Sequence, residues 1–564
     1  MEKIELLAPA GALANLKSAV ASKADAVYLG MSKFTARAYA TNFNEEYLKS
    51  AVNICRFNKV KLFLTMNTLI KNSEIDNFFK QLTLAYLTGI DAVIIQDPSF
   101  IEIIRNSYPD LKIHMSTQAG VMNSPQANLF NTADRINLAR ELSKENLISL
   151  RNNFKKEIEI FVHGALCVCI SGSCLFSSFL GGRSGNRGRC AQPCRAIYDD
   201  NFYLSTRELC LIEKIGELKE IGINSIKIEG RMRTPYYVAT ATSIYRQALD
   251  NKNFKITPEI LGQLKSAYSR EFTRGKYSSE DVFNREKAQG ESNVIKKDYQ
   301  VLTKKFQINR TSNLILPDIK NKSGERKQLL VRVYNKEDAI AAEANGADII
   351  YLDMFHKDFL ETKKSIKIPL YAVTPRIMFD SDIKEIKERL KKIKPDGILA
   401  GNLGILNMKL NIPIHLDYNC NCFNDYNLRY YQNLGVFPII SPELSIQEQC
   451  EFKNKCFAAL VHGKIRLMTL AHELDKTEIT DKKKFKFKIN KILNGSEILN
   501  EKELGLFNKT KNLRNSGITS FFIDTETDVG KITRIYREIL DGKTVDVSKI
   551  KQNYVLGWSD RGVE

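Results

Sequence analysis

Residues 24–30 read ADAVYLG, and stretches of the same kind return as KLFLTMNT (61–68), DAVIIQD (91–97), KIHMSTQ (112–118), EIEIFVHG (157–164) and NSIKIEG (224–230), after an opening IELLAPA (4–10). Between them lie segments such as ALANLKSAVASK and EIDNFFKQLTLAYLTG, whose apolar residues recur at helical spacing. Strands alternating with helices of this length predict a parallel sheet. The strands are apolar nearly throughout, as expected when both faces are covered. Polar residues collect at the strand C-termini: Asn67, Asp97, Ser116 with Gln118, His163 and Glu229. In a β/α barrel those ends form the functional face. The expected fold class is therefore α/β, with a TIM-like β/α barrel, regular or distorted, in the N-terminal half. A doubly wound open sheet is the alternative, because periodicity does not separate the two.

The second half repeats the first in faded form. NGADIIYLD (345–353) matches SKADAVYLG (22–30), and KPDGILAGN (394–402) matches TGIDAVIIQD (88–97). NIPIHLDYN (411–419) follows LKIHMSTQA, with His415 where His114 stands, and AALVHGKIR (458–466) follows EIFVHGALC, with His462 where His163 stands. GITSFFIDTETDVGKITRIYREIL (517–540) then follows GINSIKIEGRMRTPYYVATATSIYRQAL (222–249). The shared order indicates an internal duplication. The copies differ where chemistry is expected: Cys167 becomes Arg466, Cys174 becomes Glu473, and KIEGR becomes FIDTE. The second copy is expected to be a degenerate β/α barrel-like domain and a structural or binding partner of the first. Its Cys420, Cys422, Cys450 and Cys456 are expected to be buried apolar residues. The predicted domains are 1–254, a helical extension and polar linker at 255–328, and 329–564.

The chain has 564 residues, 43% of them hydrophobic, which is enough for real cores and excludes a largely disordered protein. The N-terminal MEKIELLAPAGALANLK lacks the apolar run of a signal peptide, and no stretch approaches the roughly 20 apolar residues of a membrane helix. A cytoplasmic protein without membrane attachment is expected. Lys and Arg number 84 against 65 Asp and Glu, a formal charge of +19. Such a surplus suits a polyanion such as RNA, although a lysine-rich proteome decorates its surfaces in the same way.

Six of the eleven cysteines fall between 167 and 210. Cys167, Cys174, Cys190 and Cys194 are spaced C-x6-C-x15-C-x3-C among glycines and arginines. In a reducing compartment, such clustering indicates metal ligands or redox groups before disulfides. Zinc knuckles favour ligands two to four residues apart, which only Cys190 and Cys194 approach. Wide spacing in a glycine-rich loop suits an iron–sulfur cluster, and zinc or no metal stay open at this level. Cys169 is a substitute ligand by its spacing from Cys167. Cys210, in STRELCLIEKI, is expected in a helix with a packing role. Arg183, Arg187 and Arg189 crowd the same segment, and their guanidinium forks suit a small dicarboxylate or an RNA backbone. His163 is a candidate proton donor or acceptor, whose persistence as His462 also fits a structural role. Glu229 and Arg231 complete the candidate catalytic set, either paired with each other or facing substrate.

FVHGALCVCISGSCLFSSFLGGRSGNRGRCAQPCR closely resembles the signature of the U32 peptidase family, often labelled collagenase-like proteases. ELLAPAGALANLKSAVASKADAVYLG and SIKIEGRMRTPYYVA resemble the family's opening and its KIEGR segment. The resemblance is strong over roughly residues 1–280 and reaches the second half only through the repeat. It implies a β/α barrel. No HExxH or G-x-S-x-G hydrolase motif is present, although a cysteine nucleophile beside His163 keeps the peptidase reading open. Characterised branches resemble oxygen-independent hydroxylases with a four-iron (4Fe-4S) cluster, acting on C5 of a pyrimidine in tRNA or rRNA with prephenate as a required metabolite. A further branch serves ubiquinone synthesis. The resemblance carries the cluster ligands onto Cys167, Cys174, Cys190 and Cys194, the last being a position that some members replace. Prephenate's two carboxylates suit the arginine cluster on charge. A non-catalytic RNA-binding factor is the remaining alternative.

Overall fold

The computed structural model describes residues 3–267, 270–285, 299–545 and 554–564. Within the expected linker, 286–298 lie outside the described residues. The described residues form two units. The first takes in Met1–Ile70, Glu74–Gly172 and Gly185–Leu316, and the second Lys71–Ser73, Ser173–Ser184 and Pro317–Glu564.

The first unit contains β1 (Glu5–Pro9), β2 (Ala26–Gly30), β3 (Lys61–Met66), β4 (Ala92–Ile95), β5 (Lys112–Met115), β6 (Arg135–Asn137), β7 (Glu157–Ala165), β8 (Glu208–Cys210), β9 (Ser225–Ile228) and β10 (Phe272–Thr273). Strands β1 to β7 pair in sequence order, and β9 pairs with both β7 and β1. Eight parallel strands therefore close on themselves, which settles the choice between a barrel and an open sheet. Helices fill the connections, begun by side-chain caps such as Asn44 before Glu45–Phe57 and Thr234 before Pro235–Asp250. Gly89, in the left-handed region, ends the helix Ile75–Thr88. Residues 299–316 run over this unit, with Arg310 donating to the carbonyls of Tyr86 (3.1 Å) and Ile90 (2.6 Å).

Two local expectations are corrected. Cys210 lies in a strand: β8 pairs antiparallel with the end of β7, opposing His163 to Cys210. The helical reading fails because the overhang of β7 beyond the barrel offers a free edge, and edge pairing outweighs local propensity. The barrel interior is also less apolar than the strands suggest. Glu5, Arg135, Glu159 and Lys227 are buried there, joined by Arg135–Glu5 (2.5 Å), Arg135–Glu159 (3.2 Å) and Lys227–Glu159 (3.0 Å). Lys227 also lies 4.4 Å from the centre of the Tyr28 ring. A paired buried network of this kind specifies register more than it adds stability. The apolar layer beside it includes Leu7, Ala26, Tyr28, Phe63, Ala92 and Ile94.

The second unit contains β11 (Gln328–Arg332), β12 (Ile349–Asp353), β13 (Leu370–Val373), β14 (Gly397–Ala400), β15 (Ile414–Leu416), β16 (Val436–Pro438), β17 (Ala458–Gly463), β18 (Arg466–Leu470), β19 (Glu478–Thr480), β20 (Lys486–Ile492), β21 (Gly495–Leu499), β22 (Leu504–Gly505) and β23 (Ser520–Asp524). The parallel order β16-β15-β14-β13-β12-β11-β23-β17 curls round without full pairing. An isolated bridge, Ile439 to Ala458, joins the chain just after β16 to β17. The duplication extends to details. A register shift falls at Phe161/His163 between β7 and β9, and at Leu460/His462 between β17 and β23. Between β17 and β23, where the first copy carries its cysteines, the second carries an antiparallel sheet of order β18-β21-β20-β19. Of the second copy's cysteines, Cys420 and Cys422 are buried as expected, whereas Cys450 and Cys456 are partly exposed in loops and helix ends.

Candidate functional site: the C-terminal mouth of the first barrel

Glu229 follows β9 directly and stands at the barrel mouth. It does not pair with Arg231, as sequence proximity suggests, but with Arg37 from the loop after β2: Arg37 Nη2 and Nε donate to Oε1 at 3.0 and 3.2 Å. Burial pushes the Glu229 carboxyl up, but the cations of Arg37, Arg233 and Arg140 and the Arg37 hydrogen bonds outweigh it and leave its pKa below the usual value. Arg37 in turn has its pKa raised chiefly by the Glu229 carboxylate, and Cys167 lies close enough for its thiolate form to add to this. Glu229, Arg37 and Cys167 therefore share one electrostatic neighbourhood, and Arg37 carried no signal in the sequence.

Arg231 is 3% exposed and has no carboxylate partner among the described residues. Its guanidinium donates to Thr35, to Thr65 Oγ1 (3.0 Å) and to Asn42, while Nε is left without a partner. Burial lowers its pKa to about 10. A cation buried against hydroxyls and an amide alone is costly, and proteins keep such violations where function needs them. The backbone around it is close-packed: a Cβ on Gly11 would stand 1.8 Å from the Arg231 carbonyl oxygen. Nearby, Asn67 donates to Ser116 Oγ (2.9 Å), and Arg140 lies 4.2 Å over the Phe161 ring while donating to the Ala165 carbonyl (2.9 Å).

The cysteine segment is anchored to this mouth by backbone. Gly188 has φ +82°, and a Cβ there would meet the Thr35 carbonyl oxygen at 2.1 Å. Gly188→Val is therefore expected to destabilise the first unit by about 2–4 kcal/mol, read as a lower unfolding midpoint. Arg187, a candidate cofactor contact, is committed locally: it makes a forked pair with Glu74 (2.7 and 2.8 Å) and donates to the Leu69 carbonyl. Arg183 and Arg189 are exposed. Arg195 ties the chain beside Cys194 to Thr206, whose hydroxyl donates to the carbonyl of Leu166 beside Cys167 (2.9 Å).

All eleven cysteines are unbridged. Cys167 and Cys194 are partly exposed, Cys190 is exposed, and the Gln192 N–H donates to Cys190 Sγ at 3.3 Å. Cys169 is fully buried and Cys210 nearly so, with burial pushing the Cys210 thiol up to about 11, which suits packing and not ligation. Cys174 belongs to the stretch 173–184 in the second unit, where the Leu175 N–H donates to the Leu467 carbonyl (2.8 Å). Among the described residues, no three His, Cys, Asp or Glu side chains stand together in a geometry that holds a metal ion. The donor chemistry fits an iron–sulfur cluster: four cysteines that are each at least partly exposed on a glycine-rich stretch of chain, with an N–H directed at one sulfur.

The second copy shows which features belong to the fold alone. His163 packs against Tyr237, Tyr245 and Phe272, and the Tyr245 hydroxyl donates to the Val162 carbonyl (2.8 Å). His462 packs against Tyr536 and Phe507, and the Tyr536 hydroxyl donates to the Val461 carbonyl (2.8 Å). Burial lowers the His163 pKa to about 3, so the ring is neutral at physiological pH. His415 is depressed by burial to the same value. Both rings protonate in the unfolded chain near pH 6.5 but not in the fold. Stability is thus complete above that pH and should fall by about 1.4 kcal/mol per pH unit for each histidine as pH drops from 6.5 towards 3. His163→Phe should flatten that slope in acid-unfolding curves. By contrast, the position of Glu229 becomes Asp524, which pairs with Arg466 at the position of Cys167. Arg466 also donates to Glu497 (2.9 Å), and Arg376 donates to Asp417 (2.7 Å). The second mouth satisfies its own charges. The cysteines, Arg37 and the unpaired Arg231 are particular to the first.

A closed β/α barrel with a cysteine-bearing segment over a cationic mouth defines a β/α-barrel protein with the site at the strand C-termini. The sequence model of peptidase family U32 matches residues 11–287 and 357–555, and the chain belongs to that family. It is 35% identical over 294 residues to tRNA hydroxylation protein P1 of Bacillus subtilis (strain 168), covering 48% of this chain and 70% of the relative. It is 35% identical over 261 residues to the 23S rRNA 5-hydroxycytidine C2501 synthase of Escherichia coli (strain K12), covering 44% of this chain and 39% of that protein. A collagenase of Porphyromonas gingivalis (strain ATCC BAA-308 / W83) is 31% identical over 304 residues, covering 48% and 73%.

Proposed function

We propose that the chain is an RNA-modifying hydroxylase that adds oxygen at C5 of a pyrimidine in tRNA or rRNA, with an iron–sulfur cluster as cofactor. The observation that carries this reading is the joint presence of four unbridged, accessible cysteines and a buried, carboxylate-free Arg231 at the mouth of a barrel whose relatives include proteins named for tRNA hydroxylation and 5-hydroxycytidine synthesis. Cys167, Cys174, Cys190 and Cys194 would hold a 4Fe-4S cluster, which when bound supplies electron transfer or Lewis acidity. Arg37 keeps Glu229 ionised and in place, ready to accept a proton or orient a base edge. Arg231, buried, and Arg140, half-buried, present positive charge to an anionic substrate. We infer that prephenate, or a dicarboxylate like it, is co-substrate among these cations; Arg183 and Arg189 are exposed. Arg187 serves by holding its loop to Glu74.

The net charge of +19 supports an RNA partner. Among the described residues no helix is long and apolar enough to cross a membrane. The test compares nucleosides, by mass spectrometry, in tRNA and rRNA from cells with and without the gene. A pyrimidine nucleoside one oxygen atom heavier should be present only with it. The collagenase relative favours a second reading, a peptidase. That reading predicts peptide cleavage that survives removal of iron, with no change in nucleosides.

A further inference from the structure

The connection between β17 and β23 of the second unit leaves the C-terminal end of its curled sheet, the position that the cysteine segment occupies in the first copy. It builds the antiparallel sheet β18-β21-β20-β19, whose β19–β20 hairpin carries DKKKFKFK (481–488). Lys482, Lys483, Lys484, Phe485 and Lys486 are all exposed in succession, Phe485 at 43%. The tip is ordered. The Asp481 carboxylate accepts from the N–H groups of Lys483 (2.8 Å) and Phe485 (2.9 Å), and the Lys484 N–H donates to the Asp481 carbonyl (3.0 Å). Lys484 takes the left-handed φ of +69° that closes the turn. One residue past the exposed Phe485 and Lys486, Phe487 turns inward, 1% exposed, and packs against Phe176. The hairpin is thus hydrogen-bonded at its tip and rooted in the core through Phe487.

Lys486 and Lys488 have acid partners, Glu478 and Glu526. Lys482, Lys483 and Lys484 form no ion pair in the described structure. Three adjacent ammonium groups without an ion-pair partner among the described residues therefore stand beside an outward aromatic ring. They match a single-stranded nucleic acid, in which phosphates recur along the chain and every base has a face that stacks.

We propose that the Lys482–Phe485 hairpin is an RNA-binding element: its lysines contact the phosphate backbone and Phe485 stacks on an unpaired base. This rests on the RNA-modifying reading above and assigns to the degenerate copy a gripping role located at one hairpin. The test measures binding of the full-length protein to an unmodified tRNA transcript by fluorescence anisotropy across a salt series. Changing Lys482, Lys483 and Lys484 together to Glu should weaken binding at least tenfold near physiological salt. It should also flatten the dependence of log affinity on log salt by about two to three units. Phe485→Ala should weaken binding about fivefold or more and leave the salt slope unchanged. Thermal midpoints should not move, because all four side chains lie outside the core.

Wild-type affinity and slope retained in the triple variant would overturn the hairpin's role and leave the RNA reading standing. Absence of RNA binding by the wild-type protein would overturn both. Anionic phosphatidylglycerol vesicles serve as the competing probe, and a triple variant that loses vesicle binding while keeping RNA binding would overturn RNA as the partner.

Discussion

Arg231→Met is expected to reduce RNA hydroxylation by at least a hundredfold while leaving the unfolding midpoint within a few degrees of wild type. The two halves of that result have one cause. Arg231 is a buried cation whose partners are Thr35, Thr65 and Asn42, none of them charged, so its desolvation is poorly compensated in the fold. Methionine fills similar volume and carries no charge, so the desolvation cost of the guanidinium goes with it, offset by the hydrogen bond that Asn42 Oδ1 loses. Thr35 and Thr65 keep a hydroxyl contact at 2.9 Å, Thr65 keeps the Leu29 carbonyl, and Asn42 keeps three backbone carbonyls through Nδ2. What the substitution removes is a positive charge fixed at the mouth, whose effect on an anion there is several kcal/mol, at the scale of a lost oxyanion-hole donor. Calorimetry alongside nucleoside analysis checks both halves. A midpoint lowered by ten degrees or more with activity kept would reverse the assignment and make Arg231 a structural residue.

The second large effect concerns the thiols. Cys190→Ala is expected to abolish the modified nucleoside in cells and to lower bound iron well below that of the wild-type protein. Cys190 is exposed, accepts an N–H from Gln192 and fills no core position, so its removal carries little packing cost. Cys169→Ala is the matched control. Cys169 is fully buried, so the change should cost about 1–2 kcal/mol of stability through lost packing. Iron content should stay at the wild-type level. The opposite pattern, iron lost with Cys169 and retained without Cys190, would move the ligand set.

The barrel and its duplication were legible in the sequence because both depend on local patterns: apolar strand runs, helical periodicity and two passes in the same order. The cysteine segment was legible for the same reason, as a run within one stretch of chain. What escaped were contacts made across the fold. Arg37 stands in KFTARAYA, a loop with no motif, and acquires meaning only through Glu229, 192 residues away. Glu229 and Arg231, neighbours in sequence, point to different partners because the chain turns between them. The interior network of Glu5, Arg135, Glu159 and Lys227 is spread over four strands, and each strand alone carries too few charges to break its apolar appearance. Cys210 reads as helical in sequence and pairs as a strand, because the free edge it joins is created by the overhang of β7. The second copy's mouth illustrates the same limit: FIDTE shows that KIEGR is lost, but not that Asp524 would turn to Arg466.

The measurement that bears most directly on the account is the iron and acid-labile sulfide content, with the visible spectrum, of the full-length protein purified without oxygen. A 4Fe-4S centre on Cys167, Cys174, Cys190 and Cys194 predicts about four iron and four sulfide per chain with a broad thiolate-to-iron absorption. Zinc, or no metal even after reconstitution with iron and sulfide, would contradict the hydroxylase reading and return the peptidase to first place.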